Sequence, residues 1–190
     1  DYNPSGLSDP YTQSNDPFNF SFDGWNALIK IDGGANKGDD KAGAFGIGKS
    51  APFSNSYYRL IFYRTYNQKY ERAAQGISRL MSYQNGALMT SGIGYYGEAE
   101  GNNPVEAIPE LDSINKRLKI GTDVFIYGFK STSNWETEIT VALLENFLIS
   151  FYYGQLRVKV QGREINKKSL SRYVERIHRE RPGATKGTYG

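Results

Sequence analysis

The residues from Gly43 to Ser50, Gly-Ala-Phe-Gly-Ile-Gly-Lys-Ser, concentrate the chemistry of this chain. Glycines lack a Cβ and let the backbone approach an anion closely. A helix that starts just after them presents free N–H groups and the positive end of its dipole. The spacing fits two phosphate-binding patterns. Read as G-x-x-x-x-G-K-S, it is a P-loop, with Lys49 placed for phosphate and Ser50 for a magnesium ion. Read as G-x-x-G-x-G, Gly43, Gly46 and Gly48 form a glycine box that closes over a nucleotide in a different ATPase fold.

The flanking sequence bears on the choice. A P-loop needs a buried strand running directly into its first glycine, and a second strand ending in an acid that holds magnesium. Here Gly38-Asp39-Asp40-Lys41-Ala42 precedes the box, charged and without packing side chains. The later apolar run Val124-Phe125-Ile126-Tyr127 continues into Gly128 and Phe129, with no acid at its end. A glycine-rich surface loop that binds nothing is the third reading, because short glycine patterns recur by chance.

The start of the chain adds a second motif. Asp1-Tyr2-Asn3-Pro4-Ser5-Gly6-Leu7 has the form D-x-N-x-x-G-L, and the glycine box follows after a long polar insert. This pairing resembles the ATPase superfamily of DNA gyrase B, the ninety-kilodalton heat-shock chaperone, sensor histidine kinases, MutL and the MORC proteins, known together as GHKL ATPases. The resemblance implies that Asp1 accepts the adenine amino group and that Gly6 lets the chain approach the base. Gly43, Phe45, Gly46, Ile47 and Gly48 then meet the phosphates, followed by Ser50. The chaperone branch has an aromatic after the last glycine where this chain has Lys49, which becomes a candidate γ-phosphate contact. Gly121-Thr122 resembles the family's glycine-threonine turn, which would set Thr122 near the adenine.

The same resemblance implies a Bergerat-type α+β fold, a two-layer sandwich with a mixed, mostly antiparallel sheet and helices on one face. It covers residues 1–130, with a lid over residues 8–42, and leaves residues 131–190 as a helix-hairpin-helix extension without a family motif. The implied function is an ATP-binding module whose lid closes over ATP and drives a conformational change, with ATP and Mg2+ as cofactors. The family's catalytic glutamate and its magnesium-binding asparagine lie on a helix upstream of the aspartate box. No catalytic or metal-binding residue is therefore assigned here. ATP hydrolase activity is expected only of a longer parent, and this segment alone is expected to be inactive. The alternative is a scaffold or interaction domain that keeps the fold without turnover.

Composition narrows the partners. Zero cysteines exclude disulfides and thiolate metal sites, and a single histidine, His178, leaves little scope for a histidine-based metal site or triad. No apolar run approaches the roughly eighteen residues of a membrane span, and no signal-peptide pattern opens the chain, so a cytoplasmic protein without a membrane is expected. The net charge of +3 does not by itself imply nucleic acid. The basic run Lys167, Lys168, Arg172, Arg176, Arg179, Arg181 and Lys186 reads as a solvated helix face, interrupted by Glu175 and Glu180, with a DNA-binding face as the other reading. A homodimer, a protein client and DNA stay open as partners.

Patterning supplies the elements. A helix is expected over residues 49–56, its first turn toward the phosphates. Strand character follows at 57–66, 76–83 and 87–96, with Asn85-Gly86 as a hairpin turn, and returns at 122–129. Residues 97–109 are acidic and turn-rich and read as lying outside the sheet. Ser133-Asn134-Trp135-Glu136 reads as a capping box. It opens a helix with Trp135, Ile139, Ala142, Leu143 and Phe147 inward, Glu145 and Asn146 being structural rather than catalytic. A small hairpin flanks Gln161-Gly162, and Asn166 caps a last helix over residues 167–180.

Overall fold

The computed structural model describes residues 24–29 and 47–180. The chain divides into two compact units, Asp1–Lys130 and Ser131–Gly190. The architecture is α+β.

In the first unit a four-stranded sheet has the order β5-β2-β1-β6, every neighbouring pair antiparallel. Its strands are β1 (Ser56–Tyr66), β2 (Arg72–Arg79), β5 (Ile93–Tyr96) and β6 (Gly121–Phe129). A separate hairpin, β3 (Tyr83–Asn85) with β4 (Leu88–Thr90), turns at Gly86, whose φ of 62° is the left-handed value such a turn asks for. The strand expected over 57–66 is present as β1. The runs at 76–83 and 87–96 are instead broken: β2 begins at Arg72, and only short pieces follow it. The cause is tertiary. Arg72-Ala73-Ala74-Gln75 has weak strand propensity but pairs residue for residue with Tyr66-Thr65-Arg64-Tyr63 of β1.

Alternation along β1 splits the core in two. Ile61 and Tyr63 pack with Ala73 and Ile77 of β2, with Trp25 and Ile29 of α1 (Gly24–Ile29), and with Phe53 of α2 (Ala51–Ser54). The alternate residues Phe62, Ala74 and Phe125 meet Val105, Ile108 and Leu111, the last from α3 (Pro109–Ile114). Helical cover is therefore not confined to one face, contrary to expectation. Residues 97–109 lie outside the four-stranded sheet, although Val105 exchanges backbone hydrogen bonds with Ala74 at 2.7 and 2.9 Å.

In the second unit α4 (Trp135–Tyr152) and α5 (Leu170–Glu180) pack with the hairpin β7 (Val158–Val160) and β8 (Arg163–Ile165) around Val141, Leu144, Phe151, Ile165, Tyr173 and Ile177. Two local expectations need correction. Asn134, at the N-cap of α4, makes no side-chain cap, and the Thr132 hydroxyl bonds Glu138 at 3.1 Å instead of a Ser133–Glu136 box. Val141, Leu144 and Phe151 are buried, with Trp135 and Leu143 packed half-buried against that core as expected, while Ile139, Ala142 and Phe147 are exposed. A break at Phe147 (φ −130°) shifts the helical phase, so no single stripe runs through the helix. Asn166 does act at the start of the last helix: its side-chain oxygen accepts N–H bonds from Lys168 and Ser169, and the helix proper begins at Leu170 rather than 167. Among the described residues no helix is long and apolar enough to cross a membrane.

Candidate functional site

Of the residues singled out in the sequence, Asp1, Gly6, Gly43, Phe45 and Gly46, with most of the lid over 8–42, lie outside the described residues. Ile47, Gly48, Lys49 and Ser50 form one 3₁₀ turn leading into α2. Gly48 is exposed, with open space where a Cβ would stand, while Lys49 and Ser50 are half-buried. The helix expected over 49–56 stops at Ser54, after four residues. Asn55 closes it, its N–H bonding Pro52 O at 3.1 Å and its side-chain amide bonding Ala51 O at 3.1 Å. Ser50 sits at the N-cap with helical φ and ψ and no side-chain cap. A helix this short has no macrodipole to offer, so the expected phosphate-facing helix end is not supplied by α2.

Thr122 lies on β6 directly opposite Thr65 of β1, their hydroxyl oxygens 3.2 Å apart, and Thr65 also donates to Gly121 O at 3.3 Å. The next residue, Asp123, is the hub of a partly buried ion cluster. Arg64 reaches Asp123 through Nε at 2.9 Å and Nη2 at 2.6 Å, Asp112 of α3 at 2.6 Å, and Asn115 O at 2.6 Å. Arg117 grips the same carboxylate with Nε and Nη2, and donates to Lys119 O. Burial pushes Asp123 upward, but the hydrogen bonds and charges of Arg117 and Arg64 outweigh it and hold the carboxyl below its ordinary value. Two cations and two carboxylates thus bind α3, the 115–119 segment and β6 to β1.

β1 is the element that joins the two motifs. The glycine turn enters it at Ser56, and Thr122 faces Thr65, nine residues but only seven ladder positions further on, or roughly 23 Å along the strand. Phe53 folds back from α2 onto Ile61 and Tyr63 in the middle of β1. On this same helix-covered face the buried Trp25 Nε1, a donor, and Gln75 Oε1, an acceptor, have no partner among the described residues. The Gln75 amide nitrogen, by contrast, donates to Asn102 O at 2.7 Å. Tyr63 is 1 % exposed; burial raises its phenol to about 12, the Arg79 charge opposing that rise.

Sequence reasoning missed a second constellation. Between Ser56 and Leu60, β1 advances four residues while β6 advances two, from Phe129 to Tyr127, so two residues bulge out of the ladder. The buried Ser56 hydroxyl fills the gap, donating to Tyr127 O at 2.5 Å and accepting the Leu60 N–H at 3.2 Å. Tyr57, Tyr58 and Arg59 are thrown outward, and Arg59 holds φ at 49°, a strained value for a residue with a side chain. With Arg79, Leu80 and Met81 they line a concave site of about 640 Å³. The available signal was the unbroken pair of tyrosines before an arginine, which violates strand alternation; the partnership with Arg79 depends on register and could not be read. Among the described residues no three His, Cys, Asp or Glu side chains converge as a metal-ligand set.

Comparison with protein-family models, with curated proteins and with solved structures returned no match.

Proposed function

We propose that the chain is the ATP-binding module of a GHKL-type ATPase with a Bergerat-type fold, a lid closing over the nucleotide to drive a conformational change. The observation that carries this reading is Gly48. Its φ is not in the left-handed range and no atom of the described residues lies within 4 Å of its Cβ position, so nothing among the described residues requires a glycine there. A pattern glycine without an internal reason is what close approach of a ligand leaves behind. Two further features support it. The turn holding Gly48 leads into β1, and the Gly121-Thr122 motif begins the strand hydrogen-bonded beside β1. Trp25 Nε1 and Gln75 Oε1 leave a buried donor and a buried acceptor without partners among the described residues on the helix-covered face.

In this mechanism the backbone of Ile47, Gly48 and Lys49 meets phosphate oxygens, the Lys49 ammonium adds charge there, and Ser50 lies at the end of the turn. Thr122, held by Thr65, contributes a fixed hydroxyl toward the base side. Asp1, Gly6, Gly43, Phe45 and Gly46 complete the site by the sequence resemblance. Bound Mg2+ would neutralise charge developing on the phosphates.

Calorimetry with ATP and ADP, with and without magnesium, tests the reading on this chain and on one extended upstream of Asp1. Gly48→Val is the informative variant. The space beside Gly48 accepts a side chain, so the melting midpoint should hold within a degree or two while ATP binding disappears. Undiminished binding by Gly48→Val, or none by either wild-type chain when folded, would remove the assignment.

A further inference from the structure

We propose that the edge formed by residues 88–96 is where two copies of this chain pair, antiparallel about a twofold axis at Ser91. The surface uses none of the candidate nucleotide residues, and the pairing does not depend on the nucleotide reading.

β5 ends the four-stranded sheet, with no further strand on its outer side among the described residues. It continues from β4 through Ser91 and Gly92, so residues 88–96 present one edge. On the inner side Gly92 O is taken by Leu80 N at 2.6 Å. Hydrogen bonding alternates along an antiparallel ladder, so the N–H and C=O of Met89, Ser91 and Ile93 turn to the outer side. Sheet edges are commonly guarded by charged residues or proline. Residues 80–97 contain neither: no Asp, Glu, Lys, Arg, His or Pro. Residues 81–89, which carry β3 and the turn into β4, are all exposed, and two strands alone are marginal in water.

Two demands select the occupant. Outward N–H and C=O groups argue against a lipid surface, because hydrocarbon offers them no hydrogen-bond partner. A second strand edge satisfies them, and this segment is complementary to itself. With Ser91 opposite the second copy's Ser91, Met89 meets the second copy's Ile93, apolar against apolar. Leu88 meets Gly94 and Thr90 meets Gly92, so each larger side chain lies opposite a glycine. Such reciprocity, i on j and j on i, is what a twofold interface requires. The area also suffices. Leu88, Met89, Ile93 and Tyr96 leave roughly 450 Å² in water and Leu80, Met81 and Tyr83 beside them add about as much, which reaches the ~800 Å² that each partner of a stable dimer contributes.

Sedimentation velocity of the full chain without nucleotide, at concentrations up to about 100 µM, tests this. A reversible monomer–dimer equilibrium is expected. Met89→Lys sets a charge against the second copy's Ile93 on both sides of the axis and should raise the dimer dissociation constant at least about tenfold. Met89 is 73 % exposed, so the melting midpoint, read where both proteins are monomeric, should hold within a degree or two. The chain has no cysteine, so Ser91→Cys adds a single thiol. Residues opposite each other in a hydrogen-bonded antiparallel pair stand about 5.5 Å apart at Cα, within disulfide reach. Ser91→Cys should therefore form a disulfide-linked dimer with oxidised glutathione, whereas Ser113→Cys, exposed on α3, should not. The proposal is overturned by a chain that stays monomeric throughout, by assemblies that grow beyond two copies, by indifference to Met89→Lys, or by equal cross-linking of the two thiol variants.

Discussion

Arg64 and Asp123 face each other directly across β1 and β6, the guanidinium meeting one carboxylate oxygen through Nε at 2.9 Å and Nη2 at 2.6 Å. Arg64 is 4 % exposed and also carries Asp112 and the Asn115 carbonyl, so it fixes α3 and the approach to Thr122 together. Without Arg64, Asp123 keeps Arg117 while the partly exposed Asp112 and the Asn115 carbonyl lose their partner. Arg64→Met should cost about 1–3 kcal/mol in denaturant unfolding, and chemical-shift changes should reach Thr122.

The same cluster sets an acid limit. The folded carboxyl of Asp123 titrates below the ordinary aspartate value of 3.8, so its stabilisation is complete above that value and is lost as pH falls through the lower one. Arg117→Met removes the hydrogen bonds and charge that hold it down. Stability measured between about pH 2 and pH 6 should therefore begin to fall at a higher pH in Arg117→Met than in the wild type. Superimposable profiles would deny Arg117 that role.

An alkaline limit comes from Tyr63. Its folded phenol is raised to about 12 against an ordinary 10.0, so its contribution is complete below pH 10 and is lost as pH rises toward 12. The loss amounts to roughly 3 kcal/mol, at about 1.4 kcal/mol for each unit. Tyr63→Phe should remove this part of the alkaline decline, and difference absorbance should show one tyrosine fewer ionising only with unfolding.

Gly76 gives a steric test of the sheet. Its partners are Phe62 on β1 and Tyr96 on β5, and an added Cβ would lie 2.7 Å from the Phe62 ring and 2.9 Å from Tyr96 Cβ. Gly76→Ala should lose about 1–3 kcal/mol by overpacking. In Gly76→Ala/Phe62→Leu the two costs should fall short of their sum, because the smaller side chain makes room.

Local chemistry wrote part of this structure into the sequence. The strand character of residues 57–66, the Asn85-Gly86 turn, the Gly121-Thr122 strand start and the Leu170, Tyr173, Ile177 stripe of α5 each depend on neighbours in the chain, and each appears in the fold. Long-range effects wrote the rest. Ala73 and Ala74 become strand only because β1 pairs with them, and Leu80 N–H bonds Gly92 O at 2.6 Å to cut the expected long strand into a hairpin with a closed base. The short α2 reflects competition for Ser56, whose hydroxyl is needed inside the β1–β6 ladder. Of the candidate nucleotide residues, the sequence identified the turn and Thr122, but not Trp25 or Gln75. Their solitary polar atoms become visible only once burial is known.

The β1 bulge inserts two residues, not one, and side chains alternate with a period of two. Everything on either side of it therefore keeps its facing, with Ser56 and Leu60 in the same phase as Phe62 and Arg64. A one-residue insertion would have turned half the strand inside out. An even one behaves as a cassette that the sheet can accept or lose in a single step without repacking its core.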